Sequence, residues 1–254
     1  MSHVVIELPV SVSTADGIAD GFLYQLESKA AWPGIVHLTD IHGVREASRG
    51  MARRLAEEGY TVLLPNVFYR TRKPPMFDFP VNFGDERTKQ RFAELTGPLT
   101  PEAAARDAAA YVDFLRAQPA TAAGPMGVVG YCFTGALSLR IAAARPDAIA
   151  AASSFHGGGL HTDAPTSPDR GLPRVKAQLH VGHAFEDRSM SADAIAKFDQ
   201  ALAAWGGRYE SLVYGQARHG WTVPDSAAYD RDQAERAYAN MTALFARTLG
   251  GRAS

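Results

Sequence analysis

The chain has one cysteine, Cys132, in 254 residues, so no intrachain disulfide and no multi-cysteine metal site can be built from it. Neither charge is in excess: 26 basic side chains stand against 27 acidic ones. That balance leaves no electrostatic footprint for nucleic acid. No apolar run approaches the length of a membrane span. The opening residues 1–7 have neither a basic n-region nor an apolar h-region, so a secretory signal is not expected. Gly-Lys-Ser, Gly-Lys-Thr and Gly-x-Gly-x-x-Gly are all absent, which removes the usual cradles for nucleotide phosphates. There is no His-Glu-x-x-His helix, and His180 and His183, three apart on a strand, would face opposite ways. No cofactor and no metal are expected, nor a nucleic-acid or membrane partner. A cytoplasmic location is.

What is present is an alternation of strand and helix. Residues 3–14 and 21–26 are β-like runs around the turn Ala15-Asp16-Gly17. Residues 34–38 and 60–64 are compact apolar runs. Between them, residues 45–58 carry Ala47, Met51, Leu55 and Ala56 at helical spacing, closed by Gly59 as a C-cap. Strand, helix, strand is the unit of a parallel sheet. Residues 66–99 are rich in Pro, Phe and charge without a clear period, which reads as a functional loop or lid. Thr100 and Pro101 then open a helix to about residue 118, as N-cap and first helical residue. Strands are expected at 127–131, 149–155, 177–181 and 209–214, and helices at 133–144, 192–204 and 227–249. With no repeat or linker in sight, residues 1–254 read as one α/β domain, a mostly parallel sheet of about eight strands flanked by helices. A domain of this size can bury about 70–75% of its unfolded surface.

One strand-to-helix turn places the only cysteine in a suggestive position. In Gly130-Tyr-Cys132-Phe-Thr-Gly135 the spacing matches a nucleophile elbow, Gly-x-Ser-x-Gly, with Cys at the Ser position. Gly-x-Ser occurs nowhere in the chain, so no serine elbow competes. The start of a helix favours a thiolate, and the N–H of Phe133 would point at a developing oxyanion. A small buried cysteine in a packed turn fits the same residues. A nucleophilic thiol needs a base, and the base an orienting acid. The loop after the strand at 178–181 holds Glu186 and Asp187, and the loop after 209–214 holds His219 in Ala-Arg-His-Gly-Trp. Both lie at C-terminal strand ends, where open α/β sheets build their sites. The chain order Cys132, Asp187, His219 is the one an elbow enzyme uses.

These motifs resemble the dienelactone hydrolase family, a branch of the α/β-hydrolase fold with a Cys-His-Asp triad. Further matching segments are Thr39-Asp40-Ile41-His42-Gly43, Leu64-Pro-Asn-Val-Phe-Tyr-Arg70, Ser154-Phe-His-Gly-Gly158 and Glu186-Asp187-Arg-Ser-Met190. The resemblance implies that Cys132 attacks an ester or lactone carbonyl of a small molecule. It also implies that Asp187 orients His219, and that the N–H groups of Phe133 and Ile41 form the oxyanion hole. Two positions depart from the family pattern. Thr134 stands where a glycine is usual, which would narrow the elbow or set a hydroxyl beside the thiol. Asp40 replaces the glutamate that partners the resting cysteine in family members, and is expected to support Cys132 in the same way. An arginine that grips a substrate carboxylate would come from Arg70, Arg72, Arg87 or Arg91. Phe68 and Tyr69 would line the pocket mouth or pack against the sheet edge, and His156 is expected as a structural histidine. The alternative reading is a binding or redox-sensing protein on the same fold, with Cys132 oxidised rather than acylated. No heptad or strongly apolar helix face declares an oligomer.

Overall fold

The computed structural model describes residues 4–250; the expected start of the first strand at His3 lies outside them. Among the described residues eight strands form one sheet: β1 (Val5–Thr14), β2 (Gly17–Leu26), β3 (Gly34–His37), β4 (Thr61–Pro65), β5 (Met126–Tyr131), β6 (Ile149–Phe155), β7 (Gln178–Glu186) and β8 (Tyr209–Arg218). Their order across the sheet is β1-β2-β4-β3-β5-β6-β7-β8. β1 and β2 are an antiparallel hairpin closed between Thr14 and Gly17, and β2 runs antiparallel to β4. From β4 to β8 every pairing is parallel. β3, β4 and β5 are buried along their whole length, which is why they read as unbroken apolar runs: a parallel sheet is covered on both faces.

The covering helices divide into two layers. α1 (Glu46–Glu57) and α6 (Arg231–Leu249) pack on one face through Ala52, Leu55, Met241, Leu244 and Phe245. α3 (Pro101–Arg116), α4 (Phe133–Ala144) and α5 (Ala192–Trp205) cover the other, through Tyr111, Val112, Leu139, Phe198 and Leu202. Removing a fully buried ring such as Phe245 would cost about 3–5 kcal/mol. The expected caps are in place. Thr100 Oγ1 accepts the N–H of Ala103 at 3.2 Å, and Gly59 sits at φ +91° beyond α1.

Several elements differ from the sequence reading. The run 66–99 contains a helix, α2 (Glu86–Thr96). Its inner face is only Thr88 and Leu95, with Phe92 half-buried, so charge masks the helical period. α6 begins at Arg231 and not at 227, because the Asp230 carboxylate caps the N–H of Gln233 at 3.1 Å. β7 and β8 both run further than expected, to Glu186 and Arg218. Their added residues mix glycine and polar side chains with Ala184, Phe185 and Ala217, which breaks the apolar run, and the pairing becomes irregular between Ala184 and Glu186.

Candidate active site

The extra length of β7 and β8 brings Asp187 and His219 to the first position after their strands, beside the end of β5. Cys132 stands between β5 and α4 at φ +56° and ψ −126°, a conformation that costs an L residue of order 1–3 kcal/mol and persists only when the surroundings enforce it. The enforcement is visible. A Cβ on Gly130 would lie 2.1 Å from the carbonyl oxygen of Thr134, and one on Gly135 would lie 2.5 Å from Ser154 Oγ. Only glycine lets the strand, turn and helix approach so closely. Thr134 tightens the turn further. Its Oγ1 accepts the N–H of Tyr131 at 2.9 Å and its hydroxyl donates to the Tyr131 carbonyl at 3.0 Å. The hydroxyl that departs from the family pattern is thus directed into the turn and not towards the thiol.

Behind Cys132 is a relay of hydrogen bonds. His219 Nδ1 lies 2.7 Å from Asp187 Oδ2. The other oxygen of Asp187 accepts the Ser189 N–H at 2.8 Å and the Ser189 hydroxyl at 2.6 Å. Burial alone would raise the Asp187 carboxyl, but His219 and Ser189 outweigh it and hold it below the ordinary carboxylate range. His219 has the opposite balance. Burial works against its charged form, yet the Asp187 hydrogen bond and the neighbouring Cys132 push it up to about 10. A carboxylate on Nδ1 and a thiol bordering the same cavity is the arrangement that moves a proton between sulfur and imidazole.

Ile41 and Phe133 flank the cysteine from two sides. Phe133 is the first residue of α4, and the N–H groups of a first helical turn have no intrahelical acceptor. Ile41 lines the same cavity as Cys132 and His219, in a turn closed by the Gly43 N–H on the Asp40 carbonyl at 3.1 Å. Asp40 lines that cavity too, but its carboxylate is already engaged. Arg45 holds both oxygens, at 2.7 and 2.9 Å, and the His42 N–H donates to Oδ1 at 3.0 Å. Arg45 in turn grips Asp225 through two bonds of 2.7 Å. The carboxylate therefore secures the turn that carries Ile41.

Two cavities meet at Cys132, Phe83 and His219. The larger, about 870 Å³, is walled by Phe92, Phe133, Gly158, Arg188 and Arg218 among others. The smaller, about 470 Å³, lies towards Ile41, His42, His156 and Asp225. None of the four arginines singled out in the sequence lines either one. Arg70 is held by Asp107 and Asp16, and Arg72, Arg87 and Arg91 all lie near Asp78. Arg188 and Arg218 border the cavity instead, and among the described residues neither forms an ion pair. Phe68 is core, and the Tyr69 hydroxyl is bonded to Asp107, so packing is the role both fill. Sequence reasoning missed Phe83 and Phe92 because the helix that sets them was hidden. Ser189 lies inside the matching segment Glu186–Met190, but a serine two residues past an acid has no role that spacing alone assigns. His156, expected as structural, touches Cys132 directly: its Nδ1 accepts the Cys132 N–H at 3.0 Å.

A largely parallel eight-stranded sheet with an elbow after a central strand, and with acid and imidazole after two later strands, defines the α/β-hydrolase class. The dienelactone hydrolase family profile matches residues 20–249. The carboxymethylenebutenolidase of Pseudomonas putida is 30% identical over 173 residues, covering 68% of this chain and 69% of that protein. That of Rhodococcus opacus is 28% identical, covering 82% and 81%. A dienelactone hydrolase-like promiscuous phosphotriesterase from metagenomic libraries superposes with a TM-score of 0.80 at 21% identity, covering 97% of this chain and 99% of that one. The chain belongs to the dienelactone hydrolase family and is a hydrolase. Among the described residues no helix is long and apolar enough to cross a membrane.

Proposed function

We propose that the protein hydrolyses ester or lactone bonds of small molecules through a Cys132–His219–Asp187 triad and a covalent acyl-thioester. The observation that carries this reading is the relay itself: the 2.7 Å bond from His219 to a buried Asp187 carboxylate, with Cys132 within reach of the ring. A redox sensor needs a reactive thiol but no base held by an acid, so the relay favours hydrolysis over the sensing alternative. In the first half-reaction Cys132 Sγ attacks the carbonyl carbon and the carbon–oxygen bond to the leaving alcohol breaks. The proton held on His219 goes to that alkoxide. Water then attacks the thioester, His219 takes its proton, and the acid leaves as the thiol is restored. The N–H groups of Phe133 and Ile41 receive the oxyanion in both steps; one such donor is worth about 2.7–4 kcal/mol. Asp40 supports the second donor through Arg45 and the His42 N–H. A reducing compartment keeps a thiol nucleophile free, which suits the cytoplasm.

The substrate reading follows the larger cavity. Phe83, Phe92 and Phe133 suit an apolar or unsaturated acyl group, and Arg188 with Arg218 gives an anionic group somewhere to sit. Relatives are named for a lactone with a carboxymethylene group, and a carboxylate-bearing lactone suits this lining. The test is a stopped-flow assay with p-nitrophenyl acetate. A stoichiometric burst followed by turnover is expected, both lost in Cys132→Ala and His219→Ala. Activity that survives both substitutions would refute the triad.

A further inference from the structure

His156 follows β6 directly, at φ +40°, a conformation uncommon for any residue with a β-carbon, though less so for Asn, Asp and His. It is 1% exposed, and every edge of its ring is used. Two facts settle its protonation. A backbone N–H can only donate, so the Cys132 N–H at 3.0 Å requires a bare lone pair on Nδ1. Nε2 must therefore carry the hydrogen, and it donates that hydrogen to Thr222 Oγ1 at 2.8 Å. Burial, reinforced by the neighbouring His219, drives its pKa well below the ordinary value and keeps the ring neutral. The ring also meets His219 edge-on, with centroids 5.0 Å apart, and Trp221 at 5.1 Å.

These contacts span two parts of the site that are far apart in sequence. On one side is the amide of the residue at the strained elbow. On the other is the loop 219–222, which carries His219, Trp221 and Thr222. The Cys132 N–H is shared between His156 Nδ1 and the Phe155 carbonyl, each at 3.0 Å, so two acceptors fix the amide of the strained elbow. The bond from Nε2 to Thr222 sets where the His219 loop lies relative to that elbow.

We infer that His156 is a positioning residue: its imidazole, in the Nε2–H tautomer, ties the Cys132 amide to the His219 loop and so sets the distance and angle between thiol and base. The inference rests on the proposed Cys132–His219 chemistry. Its chemical requirement is an acceptor at the Nδ1 position, and not merely a ring that fills space. Misplacement by about 1 Å can cost about a hundredfold in rate, and loss of one aligning hydrogen bond is expected to cost at least about tenfold.

Three substitutions separate this role from simple packing. In His156→Asn the amide oxygen falls where Nδ1 was, and Asn tolerates positive φ. His156→Gln places its amide near the Nε2 position, so it can keep Thr222 but not the Cys132 N–H. His156→Gly relieves the backbone and supplies no acceptor. Each is compared with wild type by kcat and KM for p-nitrophenyl acetate, and by the rate at which iodoacetamide alkylates Cys132, corrected for folded fraction from near-UV circular dichroism. Asn is expected to stay within about threefold of wild type in kcat, while Gln and Gly fall by about tenfold or more with KM nearly unchanged. Thr222→Val is expected to slow wild type by no more than the Asn variant, within about threefold, and to add nothing in the Asn background, since it acts through the same ring. The inference is overturned if Asn falls together with Gln and Gly, or if all three retain the wild-type kcat. A wild type that shows no burst would instead overturn the hydrolase reading, and the alkylation series would still decide the positioning role.

Discussion

Replacing Asp187 by Asn removes a charge while keeping the shape of the side chain. The carboxylate is 2% exposed and lies 2.7 Å from the His219 ring, so little water screens the pair. Burial would depress the imidazole on its own; Asp187 and Cys132 together hold it at about 10 against the usual 6.5. That difference corresponds to about 5 kcal/mol in favour of the imidazolium, divided between the two partners. In the variant the amide oxygen can still accept from Ser189, which turns the NH2 group towards Nδ1. The ring is then driven to carry its hydrogen on the side facing Cys132, the wrong tautomer for taking a thiol proton. The same change in a serine-protease triad lowers kcat by about 10⁴, and a fall of that order, about 5 kcal/mol, is expected here. The assay pairs kcat for p-nitrophenyl acetate with an NMR titration of the His219 ring. The folded value lies above the unfolded one, so the stability this group contributes is full below 6.5 and lost as pH rises through about 10. The variant should lose that alkaline slope. A kcat within tenfold of wild type, or a wild-type ring titrating near 6.5, would refute the reasoning.

Other substitutions probe the surroundings. His37 is fully buried with no hydrogen-bond partner for either ring nitrogen among the described residues, and burial pushes it down to about 4. Its folded value is below the unfolded 6.5, so stability falls as pH drops through that window; by linkage His37→Phe should remove about 2 kcal/mol of the loss between neutral pH and pH 5, seen in urea denaturation at the two pH values. An unchanged pH dependence would contradict it. Gly130→Ala forces a methyl against the Thr134 carbonyl and should cost about 1–3 kcal/mol or more by thermal unfolding, with loss of the acylation burst; a variant that unfolds and acylates like wild type would show that the elbow has slack. Arg188→Gln with Arg218→Gln should raise KM about 10–100-fold for a carboxylate-bearing lactone, leaving that for uncharged p-nitrophenyl acetate nearly unchanged. Equal effects on both substrates would remove the anion-binding reading.

The parallel core was legible because its strands are buried on both faces, which leaves unbroken apolar runs such as Gly127-Val-Val-Gly. The helix caps were legible because Thr100, Pro101 and Gly59 each perform a local task. α2 was not, since a helix whose inner face is a threonine, a phenylalanine and a leucine has little apolar period to detect. Within the site, Cys132, Asp187 and His219 stood out by order along the chain, an order the sheet topology requires. The arginines at the cavity did not: Arg70 sits in a matching motif but its charge is absorbed by Asp107 and Asp16. Arg188 and Arg218 look unremarkable until the two strands are seen to end side by side. Asp40 and His156 show the same limit. Residue type and spacing place a side chain near a thiol, but only the folded chain reveals that one carboxylate is engaged by Arg45 and one imidazole by the nucleophile's own amide.

The most direct test of the central claim is rapid-quench mass spectrometry after mixing the protein with p-nitrophenyl acetate. One acetyl group per chain, located on the peptide that contains Cys132 and discharged during turnover, is the result expected. An acetyl group on another residue, or turnover with an unmodified Cys132 at every quench time, would contradict the acyl-thioester mechanism.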